Sequence, residues 1–233
     1  MAASWLRGRL RRWLGSYRVE DPRPIAAGAP YTFFLPSENE LLAIEPGDLV
    51  KLTIQSIPAG DEWDAERMWV EVLRINGDVL IGKLANDPVD MPQLRPGSPI
   101  KFHRSYVIDI DWSAERSCAP PPAPPHRGYW ERCLVDACIL RGECSVDYIY
   151  REEPDMTHEG DRFPDSGWRV RASEEATLAD QERDNAVQYV AVGAALNRDD
   201  SWLSWVDAPI GSAFIRNLET GDFEPCERDA PSE

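Results

Sequence analysis

The chain reads as an α+β protein of two small domains, a β-rich N-terminal unit and an α+β C-terminal unit. Three observations predict this. Clustered prolines at 118–128 (CAPPPAPPHRG) favour extended, semi-rigid backbone and divide the 233 residues near the middle. The stretch before them alternates apolar and polar residues with the period of two expected of half-buried strands. The stretch after them mixes such runs with a segment at helical spacing, Ala186, Val190 and Ala194 on one face of 177–199.

In chain order, residues 1–20 carry Trp5, Leu6, Leu10, Trp13 and Leu14 at near-helical spacing among Arg7, Arg9, Arg11, Arg12 and Arg18. The spacing predicts a basic amphipathic helix. Such a helix can lie on an anionic membrane, but docking on the domain that follows, or a mobile arm, is the preferred reading. The segment lacks the continuous apolar core of a signal peptide, and nothing in the chain approaches a membrane span. Residues 21–30 (DPRPIAAGAP) read as a proline-rich connector, and one helix is expected near 36–44.

Strands then dominate a domain spanning 30–116. EPGDLVKLTIQSI (45–57) is a turn and a strand, and ERMWVEVLRI (66–75) is a second. Asn76-Gly77-Asp78 signals a tight hairpin into VLIGKLAND (79–87), and 94–112 adds a turn and a final strand or two. Trp69 and Val70 should point to opposite faces. Asn86-Asp87-Pro88 is a turn by side-chain capping. The blocks ERMWVEV (66–72), GKLANDP (82–88), LRPGSPIKF (94–102) and IDIDW (108–112) resemble the bacterial family called domain of unknown function 2314. That resemblance implies no activity.

After the linker at 117–128, the second domain runs over 129–226, with a tail at 227–233. CLVDACIL (133–140) is apolar enough for a buried strand, and Arg141-Gly142-Glu143 turns the chain. VDYIYREEP (146–154) alternates as a strand and stops at Pro154. An acidic loop leads to SGWRVRAS (166–173), a strand with Trp168 on one side and Arg169 on the other. SWLSWVDAPIGSAFIRN (201–217) closes with a turn and a strand.

The order CLVDACIL, GECSVDYIYREEP, DSGWRV and DAPIGSAFIRN resembles the immunity protein 33 family, also called domain of unknown function 2185, over residues 131–226. The resemblance implies a bacterial protein that binds and neutralises a cognate secreted toxin. The chain departs from the single-domain form common in that family by carrying a further domain and an arginine-rich N-terminus.

Charge narrows the partner. The formal net charge is −16, of which residues 128–233 carry −14 and residues 1–127 only −2. An acidic half repels nucleic-acid phosphate, so no nucleic-acid partner is expected. It steers toward a basic protein or serves solubility.

The five cysteines (Cys118, Cys133, Cys138, Cys144 and Cys226) are odd in number and lack zinc-site spacing. The expectation is therefore a cytoplasmic chain with all five reduced, no disulfide, no metal and no cofactor.

Catalysis is not expected either. Glu152 and Glu153 are adjacent on a presumed strand and so cannot converge, and Ser212 lacks the flanks of a nucleophile elbow. Trp168, Trp202 and Trp205 read more readily as core plugs than as binding platforms.

What remains is a candidate partner-binding surface at Glu152, Glu153, Asp165 and Trp168, where the family-like blocks meet the acidic excess. The alternative is a non-catalytic regulatory or scaffold module of unknown ligand.

Overall fold

The computed structural model of the protein describes residues 11–181 and 187–227. Both helices and strands are present, in two compact units. One unit comprises the described residues up to Gly28 together with Phe33–Pro125; the other comprises Ala29–Thr32 and the chain from His126 onward.

The first unit is an antiparallel sheet built from β1 (Ser16–Val19), β2 (Leu49–Ile57), β3 (Ala65–Asn76), β4 (Val79–Leu84), β5 (Pro99–His103) and β6 (Asp109–Asp111). The order is β1-β2-β3-β4-β5, and β6 pairs with β2. β1 lies opposite Ile54–Ile57 and β6 opposite Leu49–Lys51, so the two short strands divide the length of β2. The alternation along β2 is nearly complete, with Val50, Leu52 and Ile54 fully buried. Val70 is core, while Trp69 lies under the Lys51 ammonium, 4.3 Å from the ring centroid.

Two short helices precede the sheet proper, α1 (Arg23–Gly28) and α2 (Glu38–Leu42). The second is started by a capping box: the Ser37 side chain accepts from the Glu40 N–H, and Glu40 reaches back to the Ser37 N–H at 2.8 Å. The buried Asp48 carboxylate closes the unit, accepting from the Glu45 and Ser113 N–H groups and pairing with Arg116.

The N-terminal expectation needs correction. Residues 11–14 are helical, but Ser16–Val19 is a strand, so the helix does not extend to residue 20. The free edge of β2 offers Ser16–Val19 a full ladder, and pairing there outweighs the amphipathic spacing. Trp5, Leu6 and Leu10 lie outside the described residues. The connector at 21–30 likewise contains α1 rather than being wholly extended.

The second unit is also a six-stranded sheet, made of β7 (Arg132–Asp136), β8 (Tyr148–Arg151), β9 (Asp165–Arg171), β10 (Val187–Ala191), β11 (Ala213–Arg216) and β12 (Phe223–Pro225). Its order is β10-β7-β9-β8-β11-β12. β7 and β9 run parallel, and every other pair is antiparallel. Helices α3 (Ala137–Arg141), α4 (Glu174–Gln181) and α5 (Val192–Leu196) pack with the sheet, α5 lying against β7 and β9. Cys133, Val135, Ile149, Val170, Trp168 and Trp202 lie at the centre of this core.

Two segments differ from the sequence reading. The strand expected over 133–140 ends at Asp136, and α3 follows, stopped by Gly142 in the left-handed conformation (φ 74°). The segment read at helical spacing over 177–199 is α4, then β10, then α5; Ala186 lies outside the described residues. Val187-Gln-Tyr-Val-Ala191 pairs antiparallel with β7, and a β-branched, aromatic run beside an open strand edge is better satisfied as strand than as helix.

The cysteine expectation is also overturned. Cys138 and Cys144 form a disulfide. Turning through α3 and Gly142 brings their Cα atoms to 5.8 Å, within disulfide reach, although they are six residues apart in sequence. Cys118 is exposed, Cys133 buried and Cys226 intermediate, all outside the disulfide.

Candidate functional site

The block DSGWRV forms β9, in the middle of the second sheet, with every residue from Asp165 to Val170 buried. Its organising group is Arg169, whose side chain is 2% exposed. The guanidinium pairs with both oxygens of Asp165 at 3.0 Å, donates from Nε to Glu152, and reaches Asp155 at 3.0 Å. Asp165 also accepts from the Gly167 N–H at 3.0 Å, while its own N–H donates to the Thr157 hydroxyl at 2.9 Å. Burial pushes the Asp165 carboxyl up, but the Arg169 guanidinium and the Gly167 N–H outweigh it and hold it below the usual range. Burial works against the Arg169 cation, yet Asp165 and Glu152 raise its pKa all the same.

The neighbouring residues explain the rest of the block. Gly167 has φ +80°, and a Cβ there would stand 2.0 Å from the Glu152 carbonyl oxygen, so no other residue fits without moving the backbone. The Ser166 hydroxyl donates to the Arg132 carbonyl at 2.7 Å and accepts from the Trp168 N–H at 3.2 Å. Trp168 donates from its indole to the Val206 carbonyl at 2.9 Å and packs on Trp202, centroids 5.7 Å apart. Each polar group of the block therefore fixes either the strand or the loop 152–164 beside it.

A cavity of about 220 Å³ opens in the same unit, lined by Arg127, Tyr129, Arg151, Ser166, Trp168 and Asp207 among others. Arg127 and Asp207 form a two-pronged ion pair at 2.5 and 2.6 Å, and Arg127 also lies over the Tyr129 ring. That hydrogen-bonded pair lowers the pKa of Asp207 and raises that of Arg127. Arg151 donates to the Ser166 and Ala208 carbonyls at 2.9 and 2.7 Å.

The four residues singled out from the sequence do not form one exposed patch. Glu153 is exposed, and Glu152 is half-buried and turned to Arg169. Asp165 and Trp168 are interior, at 4% and 1% exposure. The physical reason is the position of β9: it pairs with β7 and β8 on either side, and the loop 152–164 is tied across it through Asp155 and Thr157. The presumed strand under Glu152 and Glu153 also ends earlier, at Arg151. Arg169 is the residue whose role the sequence reading missed. A signal existed, because Asp165 and Arg169 are four apart on a strand and so share a face.

No group of three or more His, Cys, Asp or Glu among the described residues is placed to hold a metal ion. The carboxylates that do converge surround a guanidinium instead. Among the described residues, no helix is long and apolar enough to cross a membrane.

Residues 133–227 match the family model described as Immunity protein Imm33 domain. The matched segment holds nearly the whole second sheet, including Arg169 and its three carboxylates. No curated protein and no solved structure matches the chain.

Proposed function

We propose that this chain is a non-catalytic, immunity-type protein whose second unit binds and neutralises a cognate protein toxin in the cytoplasm through the acidic loop 152–164. The observation that carries the reading is the match of residues 133–227 to the Imm33 immunity domain.

The local geometry supports the choice of loop. Glu153, Asp155 and Glu159 are exposed on it, and Asp155, Glu152 and Asp165 anchor it to the buried Arg169. A loop held in place before binding loses less freedom on association than one that must be ordered by the partner. Its carboxylates complement a basic toxin surface, which speeds encounter and disfavours other partners. Within the sequence-predicted set, Glu153 contacts the partner, whereas Asp165, Trp168 and largely Glu152 fix the frame that presents it.

The test is co-expression with a toxin encoded beside this chain. Cells should survive with the wild-type protein and lose protection with the double variant Glu153→Lys, Glu159→Lys, most visibly in binding measured at low salt. Neither side chain holds the fold, so circular dichroism should be unchanged. Equal killing with and without the wild-type chain overturns the immunity reading. Full protection by the double variant overturns the loop assignment.

A further inference from the structure

A second pocket in the same unit, of about 290 Å³, is lined by Arg132, Asp161, Arg162, Phe163 and Tyr189. Among the described residues, its two arginines lack the carboxylate partners that several others in this half have. In this strongly acidic half of the chain, Arg141, Arg169, Arg171 and Arg216 are each paired with a carboxylate. Arg132 and Arg162 have no ion pair or side-chain hydrogen bond among the described residues; Arg162 only stacks over the Phe163 ring, 5.1 Å from its centroid. The Tyr189 hydroxyl, in the same pocket, is enclosed and has no hydrogen-bond partner among the described residues. An enclosed hydroxyl without a partner is costly, so a pocket that holds one beside two such guanidiniums lacks an acceptor among the described residues.

The sheet brings these groups together. In the β10–β7 ladder Ala191 is opposite Arg132 and Tyr189 opposite Leu134, so Arg132 and Tyr189 stand two residues apart on one face. Arg162 and Phe163 come from the end of the loop 152–164. Burial, together with Asp165 and Asp161, raises the Tyr189 pKa and so keeps its hydroxyl protonated as a donor. Asp161, held by the His158 N–H at 2.9 Å, is the one carboxylate in the lining among the described residues. Two guanidiniums and one carboxylate leave a single positive charge, which balances a monoanion. A guanidinium fork matches a planar carboxylate in geometry as well as charge.

We infer that this pocket binds a carboxylate group, held by Arg132 and Arg162 with the Tyr189 hydroxyl as a third donor and the Phe163 ring against the attached carbon. The carboxylate comes either from a small organic acid or from an Asp or Glu side chain of a protein partner, and the chemistry recognised is the same. The inference stands independently of the toxin-binding reading.

The test uses the full chain, with the arginine Nε–Hε resonances followed during titration with acetate, N-acetylglutamate α-amide or inorganic phosphate against chloride at matched ionic strength. Saturable millimolar shifts of Arg132 and Arg162 are expected with either carboxylate. Saturation by the glutamate derivative alone assigns the ligand to a protein side chain. Arg132→Gln and Arg162→Gln should each weaken binding about tenfold. Tyr189→Phe should weaken it without lowering the melting temperature, because the hydroxyl has no partner to lose among the described residues. Arg162 lies on an exposed loop, so its variant keeps the test open if Arg132→Gln fails to fold. No saturable shift with either carboxylate, tighter binding of phosphate than of both, or unchanged binding in Arg162→Gln would each overturn the inference.

Discussion

Replacing Arg169 with methionine removes a charge from the most enclosed part of the second sheet and leaves its partners behind. Asp165 has a fully buried side chain and takes both of its ion-pair contacts from this guanidinium. Glu152 and Asp155 are 25% and 74% exposed, so water can take over part of their solvation. The cost therefore concentrates on Asp165. Breaking a buried pair by removing one partner typically costs about 3–5 kcal/mol, a large share of the roughly 5–15 kcal/mol that stabilises a domain.

The pH dependence gives a sharper signature. In the wild-type protein the folded pKa of Asp165 is lowered, so its contribution is present above the unfolded value of about 3.9 and is lost as pH falls through the folded value. In Arg169→Met, burial is opposed only by the Gly167 and Met156 N–H groups and should raise the folded pKa above the unfolded one. The variant is then penalised at neutral pH and relieved as the carboxyl takes up a proton. Both effects narrow the gap between the two proteins as pH falls. Urea unfolding at several pH values measures the gap, and hydrogen exchange on peptides from residues 146–171 locates it in this sheet. A loss below about 1 kcal/mol at neutral pH, or a gap that stays constant between about pH 7 and 4, would refute the reasoning.

Three further outcomes follow from the same geometry. Gly167→Ala should cost about 2 kcal/mol or more, since it combines a positive φ with a Cβ 2.0 Å from the Glu152 carbonyl. Gly211→Ala, at φ +92° with open space around it, should cost only about 1 kcal/mol, and comparative urea melts separate the two. Thiol titration of the unfolded, unreduced chain should count three reactive cysteines (Cys118, Cys133 and Cys226), rising to five after reduction. In the folded protein Cys133 should stay unmodified at neutral pH, because burial pushes its thiol well above the ordinary range.

The legible parts of the fold were those in which one segment and its nearest neighbour settle the structure. The alternation from Leu49 to Leu84, punctuated by Asn76-Gly77, predicts β2, β3, β4 and their hairpin because each strand pairs with the next in sequence. The capping box at Ser37 and Glu40 is equally local. The segments misread from sequence depend on distant partners. β10 is a strand because β7, some fifty residues earlier, leaves an edge open to it. Ser16–Val19 is a strand because β2 does the same.

The candidate site divides along the same line. By itself the sequence determined that the acidic excess, the DSGWRV block and the immunity-like blocks fall in the second half of the chain, since charge and block order need no partner to be read. Only the tertiary structure decided which of those groups meet solvent. Period-two alternation says that Asp165, Gly167 and Arg169 share a face, but not that a loop is tied across that face. That closure makes Asp165 an interior group and leaves Glu153 outside, while Trp168, on the opposite face, is buried in the core against Trp202. The disulfide obeys the same rule: Cys138 and Cys144 meet because α3 and Gly142 reverse the chain between them, a property of backbone path that cysteine spacing does not carry.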